Sequence, residues 1–365
     1  MVYVQSAFLT TSHGKMSCIH CHKGDETQNT KDAAHVDIVA HPSADPDKYC
    51  GSCHAGAVAN ASTSLHKTQN GYYHLFEKRA GFDLRADEYL TEEFGKECGK
   101  CHTTCGQCHV SRPVSVKGGF IAGHEFKRTP SMTNNCTACH GSRIGAEYLG
   151  QNAGYKADAH WLPNAKRCEF CHDAAEMHGS GILYDTRYDV RNTAMPKCEE
   201  CHVNERTANA YHQRHWADGE DQDGVSHLAC QVCHSQDYKN CNACHTGGTG
   251  ITGSSYMTYK IGKNPIRSDR RPYDYVVVRH IPIAPTTFES WGIANLQAFD
   301  SEPTWKYASP HNIQRWTART DTTGGGQCWA KCHNNWVGSL TTYLRDDDLQ
   351  DYEKQANQNV LMPTN

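Results

Sequence analysis

Apolar positions are sparse along this chain, and none of its stretches reaches the length of a membrane-spanning helix. Two segments, Tyr256–Ile261 and Tyr273–Ile283, carry β-branched and aromatic residues and predict short strands. Pro265, Pro272, Pro282 and Pro285 break them up. Thr246–Gly262 is rich in Gly, Ser and Thr and reads as a loop or linker. Trp291, Trp305 and Trp316 supply packing surface in this part of the chain. Arg345–Asn365, acidic and then polar, predicts a surface helix with a loose tail.

The hydrophobic share is 38% and the mean hydropathy −0.72, both low for 365 residues. Read without cofactors, such a chain makes a poor core. The cysteines change that picture. Cys98, Cys101 and His102 form a Cys-x-x-Cys-His pentapeptide, and Cys105, Cys108 and His109 form another two residues later. This is the attachment signature of c-type haem: two thiols for the vinyl groups and an adjacent imidazole for the iron. The pattern recurs at Cys18, Cys21 and His22; Cys50, Cys53 and His54; Cys136, Cys139 and His140; and Cys168, Cys171 and His172. It recurs again at Cys198, Cys201 and His202; Cys230, Cys233 and His234; and Cys241, Cys244 and His245. A variant with one more residue between the thiols sits at Cys328, Cys332 and His333. The ten sites consume all 20 cysteines. Chance would give about 0.07 such pentapeptides in a chain of this Cys and His content. Zinc ribbons place a second pair or spaced histidines opposite the first, and a disulfide framework carries no linked histidine.

The reading is therefore ten haem c groups, about 36 residues per haem. The expected fold is mostly irregular, with short α-helices wrapped around a haem array and a few short β-strands in the C-terminal third. The domain reading is a nine-haem array over 1–245, a haem-poor segment over 246–327, and a tenth site with the tail over 328–365. From Cys105 to Cys230 the motif starts step by 31, 32, 30 and 32 residues, which signals a repeated unit. Each motif is expected on a short helix, so that both thiols and the imidazole face one haem edge.

Fourteen histidines lie outside the motifs, enough for a second imidazole on every iron. The distal candidates are His13, His35, His66, His124, His160, His178, His212, His215, His227, His280 and His311. Of these His212, His215 and His227 compete for two places. His35 competes with His41, and His66 with His74. His280 and His311 are the histidines of the haem-free stretch and are expected to reach back to haems bound elsewhere. Bis-His ligation gives lower potentials than Met/His ligation. Each oxidised bis-His haem adds one negative charge, which takes the formal charge from −4 to about −14. A share of the 36 Lys and Arg residues then pairs with propionates, and nucleic-acid binding has no support.

Ala34 and His35 leading to Pro42, Ser43 and the Cys50–His54 motif, Ser64-Leu65-His66, and Tyr211-His212 through Cys230–His234 carry a family likeness. On these the chain resembles the multihaem c-type cytochromes of anaerobic respiration and extracellular electron transfer, over about Ser12–Thr246. The resemblance implies that His35 and His66 are distal ligands in preference to His41 and His74. The ten-site count and the wider spacing at Cys328–Cys332 depart from the smaller members. The functional expectation is long-range electron transfer by a non-enzymatic carrier. The alternatives are a multihaem reductase of a small nitrogen or sulfur oxyanion, or a monomeric periplasmic shuttle. No Cys-x-x-Cys-Lys of the nitrite-reductase type occurs. Expected partners are redox proteins or extracellular acceptors. Similar extracellular cytochromes polymerise, so a head-to-tail filament is also expected, with His13 as a ligand that could cross between copies. Haem c is attached outside the cytoplasm, so the protein is expected to be exported, extracellular or at the cell surface, otherwise periplasmic. Met1–Leu9 lacks the features of a signal peptide, and the expectation is that the leader was removed or lies upstream.

Overall fold

The spacing of Cys-x-x-Cys-His suits one helical turn, because positions i, i+3 and i+4 share a face. A computed structural model describes residues 4–101, 103–205, 208–215, 228–237, 258–323 and 342–363. In it Cys18–His22, Cys105–His109, Cys168–Cys171, Cys198–Cys201 and Cys230–His234 are each a single short helix. Thr137–His140 continues a π-type turn, Met132–Cys136. Cys50 starts the helix Gly51–Ala61, which kinks where His54 leaves helical geometry (φ −116°, ψ 37°). Helix is the main regular structure, more of it than the sequence predicts, with Asn70–Ala80 and Glu88–Glu97 running to 11 and 10 residues. Among the described residues no helix is long and apolar enough to cross a membrane.

The chain forms two compact units. The first takes the N-terminal segment to Gly71, then Phe94–His140 and Cys168–Arg187. Its buried apolar side chains among the described residues are Val58, Phe94, Val110, Met132 and Tyr184. Five such residues are a thin core for three segments of chain. Polar contacts join the segments instead: Ser64 Oγ donates to the Met177 carbonyl at 2.8 Å, and Asn70 Nδ2 to that of Tyr184 at 2.8 Å. Gly179 ends the helix Ala174–His178 at φ +86°, where a Cβ would stand 2.7 Å from the Asn60 carbonyl oxygen. Only glycine makes that turn at that distance.

The second unit comprises Tyr72–Glu93, Gly141–Arg167 and the chain from Tyr188 onward. It holds a three-stranded antiparallel sheet in the order β1 (Lys260–Lys263), β2 (Tyr275–His280), β3 (Trp305–Tyr307). Ile261 stands opposite Val277, and Val278 opposite Tyr307. Val276, Val277 and Val278 are all buried, so the central strand is covered on both faces. The helix Cys230–His234 packs on it through Val232. Trp305 is wholly buried in this core.

Three expectations are corrected here. The first strand falls at Lys260–Lys263 rather than Tyr256–Ile261, and β3 lies where no strand was predicted. Trp316 is 62% exposed, so it is not core. The C-terminal segment is no loose tail: Glu353, Asn357 and Val360 are buried, and Lys263 N–H donates to the Val360 carbonyl at 2.9 Å. Its polar residues face interior partners. Asn357 Oδ1 accepts from Trp305 N–H at 2.9 Å, and Asn357 Nδ2 donates to Thr304 Oγ1 at 2.7 Å.

This core sets a stability test. Trp305→Ala should lower the unfolding free energy by about 3–5 kcal/mol. Gly262→Ala should lower it by about 1–3 kcal/mol, because its Cβ would lie 2.8 Å from the Val360 carbonyl oxygen. Denaturant midpoints against the parent protein check both.

Candidate cofactor sites

Six motif histidines face a histidine from outside the motifs. His54 faces His13, with ring centroids 6.0 Å apart. His22 faces His124 at 6.0 Å, His140 faces His66 at 6.2 Å, and His109 faces His178 at 6.2 Å. In the second unit His202 faces His160 at 6.1 Å and His234 faces His212 at 6.0 Å. Five of these six pairs join stretches more than one repeat apart in sequence, and the pair of His212 with His234 lies within one repeat. His124 follows the fourth motif but reaches back to the first, and His66 follows the second but reaches forward to the fifth. The repeat therefore does not fold back on itself; it stitches distant segments together. His13, the candidate for crossing between copies, faces His54 of its own chain.

The side chains are aimed in three ways. The first is a clamp by one residue of the backbone. Val39 N–H donates to the His22 carbonyl at 2.6 Å, and His22 Nδ1 donates to the Val39 carbonyl at 2.7 Å. Lys127 holds His109 in the same reciprocal way, at 2.7 and 2.6 Å, and Gln314 holds His234, at 2.8 and 3.2 Å. The second is a single Nδ1 bond. His35, His212, His215 and His311 donate to the carbonyls of Lys31, Glu205, Tyr211 and Ser309. His160 and His172 donate instead to carboxylates, Asp158 Oδ1 at 2.8 Å and Glu176 Oε2 at 2.7 Å. In all of these Nδ1 carries the proton and Nε2 is the basic nitrogen, which is how a metal-binding imidazole is fixed. The third is packing: His13 stacks on Phe126 at 4.0 Å, and His124 lies between Phe8 and Phe120.

Burial lowers the pKa of His13, His66, His124, His178 and His234. The facing imidazole adds to this for His13, His124 and His178, through His54, His22 and His109. These shifts favour the neutral ring, the form that binds a metal.

His280 is placed differently from the facing pairs. It lies in the core of the second unit, and its Nε2 faces Glu353 Oε2 at 3.0 Å. Glu353 also accepts from Thr304 Oγ1 and Gln350 N–H. That nitrogen is engaged by a buried carboxylate, and the ring lies among core residues. His102, His227, Cys241, Cys244, His245, Cys328, Cys332 and His333 lie outside the described residues.

No disulfide joins the sixteen described cysteines. Thiols of different motifs meet instead. Cys136 lies close enough to Cys168 to perturb its thiol, as do Cys101 with Cys139 and Cys198 with Cys230. Cys50 lies within electrostatic reach of Cys105 and Cys21, and Cys108 of Cys136 and Cys139. Burial pushes the Cys98 and Cys108 thiols up to about 11. The nearby Cys168 thiol pulls Cys136 down to about 7, and the same approach pushes Cys168 up. Neighbouring motifs are held by ordinary hydrogen bonds too: Asn135 Nδ2 donates to the carbonyls of Gln107 and Ser111 at 2.7 and 2.9 Å.

The sequence reading missed Asn135, Asp158 and Glu176. Glu176 had a signal, since it stands four residues after His172. Asp158 had one too, standing two residues before His160, whereas Asn135 had none, because its acceptors Gln107 and Ser111 lie well back along the chain.

Comparison with known proteins agrees with this site chemistry. A 156-residue stretch, 41% of the chain, is 24% identical to the C-type polyheme cytochrome OmcB of Geobacter sulfurreducens, in both strain DL-1/KN400 and strain ATCC 51573/PCA. The chain is similar to a polyhaem cytochrome. The match covers 20% of the length of those relatives. No family model and no solved structure matches the chain.

Asn135 gives a test of the link between motifs. Asn135→Ala removes both donations and the Oδ1 that accepts from Ser131 N–H at 2.8 Å. It should lower stability by about 2–3 kcal/mol, whereas Asn134→Ala, at an exposed side chain, should change it by less than about 0.5 kcal/mol. Paired denaturation curves decide.

Proposed function

We propose that this chain is a multihaem c-type cytochrome that carries electrons over long range through closely spaced, low-potential, bis-His haems. The observation that carries this is the spacing of the imidazole pairs. A metal–nitrogen bond of about 2.0 Å and the ~1.2 Å from Nε2 to the ring centre put two trans imidazoles on one ion about 6.4 Å apart. The six pairs stand 6.0 to 6.2 Å apart. Each includes a histidine directly after a pair of thiols. A bare ion needs three or four protein donors, whereas haem brings four nitrogens of its own and needs two from the protein. The residues fit the group.

When bound, haem supplies a one-electron iron couple. The thiols and histidine of each motif, with a facing histidine, would hold it, and a site held by both histidines would have no position open to a substrate. His54 and His13, His22 and His124, His140 and His66, His109 and His178, His202 and His160, and His234 and His212 are the axial pairs on this reading. His35, His215 and His311 remain distal candidates, with His102, His172, His245 and His333 as further proximal ligands and His227 as a further distal candidate. The ten motifs give ten haems.

The thiol contacts support an order for the relay. The first, second and fourth motifs neighbour one another in turn through Cys21, Cys50 and Cys105. The fifth lies within electrostatic reach of the third through Cys139, the fourth through Cys108, and the sixth through Cys168. The fifth site is then a branch point. The seventh and eighth neighbour each other through Cys198 and Cys230. With His13 matched inside its own chain, the reading needs no ligand from a second copy. A filament and export to the cell surface remain expectations of the family resemblance, and sizing of the native material tests the first.

Intact mass should exceed the chain by ten haems, and oxidised protein should give only low-spin ferric EPR signals. His124→Ala and His66→Ala should each convert one haem to a high-spin or ligand-exchanging species. A stoichiometric high-spin signal in the parent protein would favour the reductase, and unchanged spectra in both variants would refute the axial assignment.

A further inference from the structure

Most of the Nδ1 anchors described above are peptide carbonyls, but two are carboxylates. Glu176 Oε2 lies 2.7 Å from His172 Nδ1, with the Glu176 side chain 11% exposed. Asp158 Oδ1 lies 2.8 Å from His160 Nδ1, and the Asp158 side chain is 2% exposed. Both carboxylates are placed by their own surroundings. Asp173 caps the helix Ala174–His178 by accepting from Ala175 and Glu176 N–H, which sets Glu176 one turn beyond His172. Asp158 Oδ1 also accepts from His160 N–H, and its Oδ2 accepts from Ile313 N–H, both at 2.8 Å.

We infer that Glu176 and Asp158 are positioning residues that lower the reduction potential of the haems held by His172 and His160. The inference rests on reading these histidines as axial ligands. A hydrogen bond to a full negative charge is roughly twice as strong as one to a neutral carbonyl. It draws the Nδ1 proton outward, raises the electron density at Nε2 and makes the imidazole a more basic ligand. A more basic ligand favours the iron state with the extra positive charge. So does a buried anion beside the site. The couple moves one electron from an external one-electron reductant to the iron, and the Nδ1 proton stays on the ring in both states. His22, His109 and His234, clamped by backbone carbonyls, lack this push. Among the described sites these two, one in each unit, have an Nδ1 bonded directly to a carboxylate and are thus the low-potential members; Glu205 stands farther from His212 Nδ1, at 3.9 Å.

Glu176→Gln and Asp158→Asn keep an acceptor oxygen and remove the charge. The haem-loaded full chain is first weighed intact, then titrated anaerobically with dithionite in an optically transparent cell. In each variant one redox component should rise, by about tenfold in its oxidation equilibrium, which is ~59 mV for one electron. The double variant should raise two. Glu289→Gln, an exposed surface carboxylate, should move none. A purely structural role would change denaturation midpoints and leave every potential in place. The proposal is overturned if Glu176→Gln binds its full complement of haem, stays low-spin and shifts no component. Glu176→Gln decides alone should Asp158→Asn fail to load. A parent protein without covalent haem overturns the ligand reading itself, and the mass reveals that before any potential is measured.

Discussion

Two imidazoles held at a fixed gap, from segments far apart in sequence, are the constraint on which the first unit depends. Its apolar core is too small to order its three segments by burial alone. Fixing the backbone costs about 1–2 kcal/mol per residue, and five buried side chains at about 1.5–3 kcal/mol each cannot offset that over such a length. On the proposed reading each imidazole pair closes a loop through a covalently bound, largely apolar disc. The loops are long, but closure entropy grows only with the logarithm of length. A pairing from the first motif to His124 is therefore scarcely harder to close than one from a motif to its neighbour. That makes cross-stitching available to a chain that could not afford a conventional core.

The second unit solves the same problem differently. Its strands bring Val276, Val277, Val278, Trp305 and Tyr307 into one buried cluster, and the helix Cys230–His234 packs on it through Val232. The same short helix is thus both a motif and a wall of the core. Buried polar groups there are satisfied in networks, as where Tyr259 Oη donates to Glu147 Oε1 at 2.7 Å while Arg143 lies alongside. Such networks specify one packing more than they add stability. They also explain why a polar C-terminal segment lies inside: Glu353 and Asn357 find partners on His280, Thr304 and Trp305 that water would otherwise supply.

What could be read from the sequence was local. The spacing of two thiols and an imidazole dictates one helical turn, and the structure has such turns at the described motifs. The run Tyr275–Val278 is β-branched enough to announce a strand. Trp305–Tyr307 is not; it becomes a strand because β2 offers it a ladder. The sequence counts imidazoles such as His280 and does not show what stands beside them. The neighbour of His280, Glu353, is brought there by folding. Which outside histidine faces which motif was likewise hidden. The repeat period favours a partner within the same repeat, whereas the actual pairs depend on which connectors lie side by side. Family resemblance raised His66 above His74 but could not show that His66 faces His140.

The three ways of aiming a ring differ in what mutation can do to them. A clamp such as that of Val39 on His22, Lys127 on His109 or Gln314 on His234 is made by backbone atoms. Any residue that keeps the local φ and ψ can occupy those positions, so ring orientation there is nearly independent of side-chain identity. An aromatic stack, such as Phe126 on His13, tolerates other aromatic residues but not small ones. A carboxylate anchor depends wholly on its side chain, and one substitution changes its charge. A chain built this way can hold most of its sites fixed while it drifts in sequence, and alter single sites through positions such as Asp158 and Glu176. The division follows from which atoms hold each Nδ1 proton, and on the proposed reading it separates the residues that shape the array from those that set the energy of individual steps along it.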